Sequence, residues 1–194
     1  MSISLQERGI IDAMMAVWFG ARDSAEFGEQ RKEWWGAFED FDAAIRETLL
    51  PHVGSAARGD LDHWISDVDG GLVLIILLDQ VPRNMFRGTA QAFATDTKAV
   101  EVARQYLDLG FDQLLLAAQR TFAYLPFEHS ENIADQDYSV ALFTELGDAS
   151  NLDFAVRHQE VVERFGRFPH RNEFLGRTST PEELQFLTQP NSSF

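Results

Sequence analysis

The sequence predicts an all-α protein of about eight helices, folded as one domain over residues 1–194. Three observations lead there. Apolar residues recur every three or four positions along most of the chain, capping and stop residues punctuate those stripes, and no hairpin dipeptide sits between alternating strands. At 194 residues the chain can bury a substantial core.

The segment that organises the rest is 71–88, GLVLIILLDQVPRNMFRG. Residues 72–78 are unbroken apolar side chains, which must be buried on every side. Such a run suits a buried strand or a buried helix, and Val73, Ile75 and Ile76 favour the strand. A strand needs partners, however, and no other segment has this character. Asp67 and Asp69 stand upstream as N-caps, and Pro82 pushes Val81 out of helical geometry. The expectation is a central helix that ends near 79–81 in a polar, charged exit.

The other elements follow in order. Residues 5–19 carry an apolar stripe at 10, 11, 14, 15, 18 and 19, with Gly20 as the stop. Residues 29–50 continue with Trp34, Phe38, Phe41, Ile45 and Leu49, ended by Pro51. Residues 52–60 read as a small-residue connector and 61–65 as a short helical turn, with His63 at the surface. After a link over 81–94, Thr95 or Asp96 caps a helix stopped by Gly110. Asp112 caps the next, stopped by Pro126. A helix over 132–146 is stopped by Gly147, and Asn151 caps another that runs to Phe165 and Gly166. Thr180-Pro181-Glu182-Glu183 combines a capping box with proline at the first helical position, a specific start for a last short helix.

Composition narrows the function. There is no cysteine, so disulfides and thiolate metal sites are excluded, which fits a reducing compartment. The first ten residues carry Glu7 and Arg8 and lack a basic start followed by an apolar run, so no export signal is expected. The longest apolar run falls well short of the ~20 residues that span a bilayer. A cytoplasmic location is the expectation, and the sequon at Asn191-Ser192-Ser193 is taken as chance. The formal charge of −15 opposes nucleic acid and anionic membrane as partners. Residues 1–70 hold fourteen acidic against six basic side chains, whereas 152–177 hold five Arg against four acids, with His158 and His170 among them.

Common catalytic signatures are missing: no GK phosphate loop, no GxGxxG, no GxSxG and no HExxH. No cofactor and no metal are expected; Glu131 and Asp135 alone among candidate ligands have i,i+4 spacing, and both are carboxylates. What remains is three polar turns, each placed just after an apolar helix: 79–84 with Arg87, 125–131, and 164–172. Taken singly, each is best explained as capping its own helix, since Arg near a C-terminus serves the last carbonyls and the dipole. His158 shares a stripe with Phe154, Val161 and Phe165 and reads as a hydrogen-bonded core residue.

The stretches LLDQVPRNMFRGTAQAFATD, LPFEHSENIADQ and RHQEVVERFGRFPHRN, with the closing SSF, resemble the bacterial family catalogued as domain of unknown function 924. The likeness runs from Val17-Trp18-Phe19-Gly20 to Phe194. It implies an all-helical fold of antiparallel hairpins stacked in a tetratricopeptide-like right-handed superhelix, and it implies no activity. No 34-residue tetratricopeptide consensus is legible in the residues themselves.

Two functions remain open. In the first, the chain is a helical binding module that holds a peptide or small anionic ligand through Arg83, Asn84, Arg87, Arg167, Arg171 and Asn172, because the arginine fork takes two oxygens at once. In the alternative, a hydrolase-type enzyme uses Glu128, His129 and His170 as acid–base groups or ligands of a divalent metal. Binding is preferred. If successive helices alternate in direction, the three polar turns meet at one end of the molecule, which simple capping does not require.

Overall fold

A helix enclosed on all sides runs through the middle of the molecule. In the computed structural model, which describes residues 2–190, 192 and 193, this is α4, Val68–Met85. Asn191 of the sequon and Phe194 of the closing motif lie outside the described residues. Around α4 lie α1 (Leu5–Phe19), α2 (Glu39–Thr48), α3 (Leu50–Arg58), α5 (Asp96–Asp108) and α6 (Ala117–Glu128), all packed against it. The chain then continues in series through α7 (Ile133–Leu146), α8 (Ala149–Phe165) and α9 (Pro181–Leu187). Short 3₁₀ turns join several of these, and no strand occurs among the described residues. The all-α reading holds.

Every residue from Leu72 to Leu78 is buried, and the same core takes in Trp18, Phe19, Trp64, Tyr106 and Phe122. A smaller cluster of Val161, Val162 and Phe168 fixes the turn after α8. Helix identity for the apolar run is settled at its start, where the Asp67 side chain accepts from Gly70 N–H. Tyr106 then packs over Gly71 and donates its hydroxyl to Val68 O at 2.8 Å.

The helix does not end at 79–81. It passes through Pro82 and stops at Met85. Proline removes the N–H that would bond Leu78 O, and the Thr95 hydroxyl donates to that carbonyl instead. The extra turn matters, because it carries Arg83 and Asn84 on a rigid helix rather than a loop. Pro126 likewise sits inside the last turn of α6, which ends at Glu128. Pro51 opens α3 instead of closing the helix before it, since a first turn tolerates proline, and the expected connector 52–60 is therefore helical up to Arg58.

Three capping expectations are also corrected. Asp112 is buried in a 3₁₀ turn and accepts from Tyr124 Oη and Gln113, while Leu116 stands at the N-cap of α6. Asp148, not Asn151, caps α8. Thr95 is the N-cap residue of α5, but its hydroxyl is committed to Leu78 O. His63 is half-buried and holds Glu7 at 2.6 Å through Nε2. The capping boxes at Ser4–Glu7 and Thr180–Glu183 form.

The close approach of Tyr106 to α4 gives a direct test. A Cβ at Gly71 would stand 2.6 Å from the Tyr106 ring, whereas one at exposed Gly9 in α1 would meet nothing. Gly71→Ala is expected to lose about 1–3 kcal/mol by overpacking, and Gly9→Ala to gain about 0.5–1 kcal/mol by helix propensity. Urea unfolding of the two variants reads the opposite signs.

Candidate functional site

Three helix ends come together at one place. The last turns of α4 present Asp79, Gln80, Arg83 and Asn84. α6 ends in Glu128, with His129 as its C-cap. α8 leads through Gly166 into a 3₁₀ turn, Pro169–Arg171, that brings His170 and Arg171 to the same end. The convergence expected from helix direction is present.

Asp79 is the pivot. It is fully buried, and its carboxylate lies 2.8 and 3.0 Å from His129 Nδ1, 2.6 Å from Gln80 Nε2 and 3.2 Å from Arg83 Nη1. Burial alone would raise its pKa, but His129, Arg83 and these hydrogen bonds outweigh it and hold the group ionised. A carboxylate accepts only, so the His129 proton sits on Nδ1 and the Nε2 lone pair is left open. Burial and the Arg83 charge pull the His129 pKa down, so the ring is neutral near pH 7.

Arg83 bridges onward. It forks onto Asp96 at 2.7 and 2.9 Å and also donates to Asp79 O at 2.9 Å. Arg171 shares Asp96 at 3.1 Å and donates to His129 O at 3.0 Å, with its guanidinium between the Phe93 and Phe168 rings at 4.7 and 4.4 Å. Burial and Arg83 lower the Arg171 pKa to about 10.

Glu128 differs from these. It is 4 % exposed, and its carboxyl makes no hydrogen bond to any described residue. Its near polar neighbour is His158 Nδ1 at 3.4 Å, and that nitrogen already donates to Phe154 O at 2.8 Å. Burial, with the Asp79 charge nearby, raises the Glu128 pKa to about 8, so at neutral pH it is a carboxylic acid. His158 is held well below its ordinary value, first by burial and then by His129. His170 is lowered to about 4, first by burial and then by Arg171.

These groups border a cavity of about 1000 Å³. Its lining combines Gln80, Arg83, Asn84, Glu128, His129, His158, His170 and Arg171 with the rings of Trp34, Trp35, Phe93, Phe154 and Phe174. The segment carrying the two tryptophans is pinned at both sides. Trp34 Nε1 donates to Trp18 O at 2.8 Å, and Arg87 holds Asp42 at 2.7 Å and Gly36 O at 3.0 Å. Among the described residues no group of three or more His or carboxylate side chains could hold a metal.

The sequence-selected residues divide in two. Arg83, Asn84, Arg87, Glu128, His129, His170 and Arg171 all line the cavity. Arg167 and Asn172 do not. Arg167 forks onto Glu183 at 2.6 and 2.8 Å, and the Asn172 amide donates to Ser179 Oγ at 3.0 Å; both clasp the start of α9. Asp79, Asp96, Gln80 and the two tryptophans were not selected as site residues. Asp79 had a signal, an acid directly against seven buried apolar residues. His158 is the core residue expected, and it faces the cavity as well.

A family profile described as "Bacterial protein of unknown function (DUF924)" matches residues 14–191. The chain belongs to that family. A solved structure, that of the protein of unknown function ATU0120 from Agrobacterium tumefaciens, is 38 % identical with a TM-score of 0.84, covering 93 % of this chain and 98 % of that one. Among curated proteins none matches. No helix of the described residues is long and apolar enough to cross a membrane.

Glu128 makes stability depend on pH with a defined sign. Between the ordinary carboxyl range and about 8, the folded chain holds a proton that the unfolded chain has released, so stability falls as pH rises. The lowered histidines, His129, His158 and His170, act in the opposite sense, but only below the ordinary histidine value of 6.5. From there to above 8 Glu128 governs. Glu128→Gln should exceed the parent by roughly 1–3 kcal/mol at alkaline pH and converge with it under acid conditions. Parallel stability curves for the two proteins would contradict the assignment.

Proposed function

We propose that the protein binds a small molecule in the cavity between the ends of α4, α6 and α8. One observation carries this reading: separate helix ends with buried polar side chains, paired with one another, border an open cavity instead of filling it. Asn84 supports it further. This residue is 8 % exposed, and its Nδ2 has no hydrogen-bond partner among the described residues. A buried amide of that kind calls for a partner from outside the chain. The cavity volume suits a ligand of ordinary metabolite size, and apolar rings beside a few placed polar groups are the usual make-up of such sites.

A second reading is favoured by the Asp79–His129 pair. The carboxylate fixes the ring with Nε2 open, the arrangement of a general base, and Glu128 nearby carries a proton to give. In a hydrolytic step, Nε2 would take a proton from water as its oxygen bonds to a carbonyl carbon. Glu128 would then protonate the departing oxygen or nitrogen.

A thermal-shift screen of neutral and charged metabolites decides the first reading. A true ligand at about a hundredfold excess over its Kd adds about 2.7 kcal/mol, and Trp35→Ala or Asn84→Leu should remove most of that shift. Ligands that stabilise the parent and both variants equally would place binding elsewhere. His129→Gln separates the readings, since a side-chain amide still offers a hydrogen bond and binding should only weaken, while any turnover of the bound compound should be lost.

A further inference from the structure

We infer that the cavity takes a ligand with an uncharged carboxamide-like head on a flat aromatic body, rather than an anion. This rests on the small-molecule reading above and specifies its chemistry.

The charges around the cavity are already matched. Arg83, Arg87 and Arg171 face Asp79, Asp96 and Asp42, and each guanidinium is engaged. Arg83 uses both terminal nitrogens on Asp96, and Arg87 uses both on Asp42. Arg171 splits its two terminal nitrogens between Asp96 and the His129 carbonyl, while its buried Nε has no hydrogen-bond partner among the described residues. A carboxylate or phosphate entering here would have to displace a carboxylate of the protein. It would also add an unmatched negative charge close to buried Asp79, which costs heavily where water is excluded.

Apart from Arg171 Nε, what the site leaves open is neutral hydrogen-bonding capacity of both kinds. Asn84 Nδ2 is a buried donor without a partner among the described residues. His129 Nε2 is an acceptor, because Nδ1 carries the proton toward Asp79. The Glu128 carboxyl has no hydrogen bond to a described residue, and in its acid form it both donates and accepts. A primary or secondary carboxamide offers the complement, one carbonyl acceptor and at least one N–H donor on a single planar group. Carboxylate and phosphate offer acceptors only, leaving His129 Nε2 facing another lone pair. For the body of the ligand, Trp35 and Phe154 line the same space and remain 52 % and 44 % exposed; Phe122 stacks on one face of Trp35 and Arg157 lies over the Phe154 ring, and the ring surface they leave uncovered can receive an aromatic body.

The test uses isosteric pairs, benzamide against benzoate and 2-naphthamide against 2-naphthoate, read on the indole N–H signals of the ¹⁵N-labelled full chain. Trp34 and Trp35 border the cavity, whereas Trp64 packs in the core beside Glu7 and serves as the internal control. Trp34→Phe, Trp35→Phe and Trp64→Phe assign those three signals, and the fourth indole signal is that of Trp18. The amides should move the Trp34 and Trp35 signals, leave Trp64 in place, and titrate with Kd values about tenfold or more below those of the acids. Asn84→Leu should abolish the preference, with the Trp64 signal reporting that the fold is kept. Acids that titrate at the same tryptophans as tightly as the amides would overturn the neutral-head inference and leave the cavity reading standing. No movement at Trp34 and Trp35 with either amide would also overturn it, and the broader thermal-shift screen then decides the cavity reading independently.

Discussion

The structure depends on keeping one carboxylate ionised where no water reaches it. Asp79 lies at the end of the most apolar segment of the chain, inside the final turns of a helix whose own dipole is negative there. An unpaired charge in that position would cost several kcal/mol, a large part of the whole stability of a domain. Arg83, Gln80 and His129 remove that cost together, and two of them are available only because α4 continues through Pro82 and α6 ends where it does. Thr95 takes the carbonyl that Pro82 leaves free, and the helix it begins brings Asp96 to the other side of Arg83. Asp96 in turn holds Arg171, which holds the His129 carbonyl. A chain of alternating charges thus ties α4, the start of α5, the end of α6 and the turn after α8 into one unit.

The cavity follows from how that unit is supported. Its charges are matched internally, so its arginines position other groups more than they attract ligands. Further out, Glu131 accepts from Phe168 N–H and pairs with Arg177, and Arg167 clasps Glu183 at the start of α9. These exposed and half-buried pairs hold the His170–Arg171 turn in place. Meanwhile Arg31 donates to the carbonyls of Val17 and Trp18 at the end of α1, which sets the tryptophan segment opposite. Chemistry concentrates on what is left over: a protonated Glu128, an open imidazole nitrogen on His129 and, without partners among the described residues, the N–H groups of Asn84 Nδ2 and Arg171 Nε.

Much of this was legible in the sequence. Local signals carried the helices, because stripes, capping boxes and stop glycines act within a few residues of where they stand. Helix direction alone was enough to expect the three turns to meet. The misread positions share a cause. Pro51, Pro82 and Pro126 were taken as stops, but a first turn tolerates proline, and the carbonyl that Pro82 leaves free is satisfied from a distant residue. Arg167 and Arg171 look alike in sequence, yet one clasps α9 and the other enters the cavity; only tertiary partners distinguish them. The charge state of Glu128 was equally out of reach, since it comes from burial and from Asp79, forty-nine positions away.

The meeting point of these helices balances its own charges and holds its protons in fixed places. Heteronuclear NMR titration of the full chain, following the Glu128 side-chain carboxyl carbon and the two His129 ring nitrogens, observes those protons directly. At pH 7 Glu128 should carry its proton, titrating near 8, and His129 should be neutral with hydrogen on Nδ1. An ionised Glu128 at pH 7, or a His129 ring protonated on Nε2 alone, would contradict that placement of the protons.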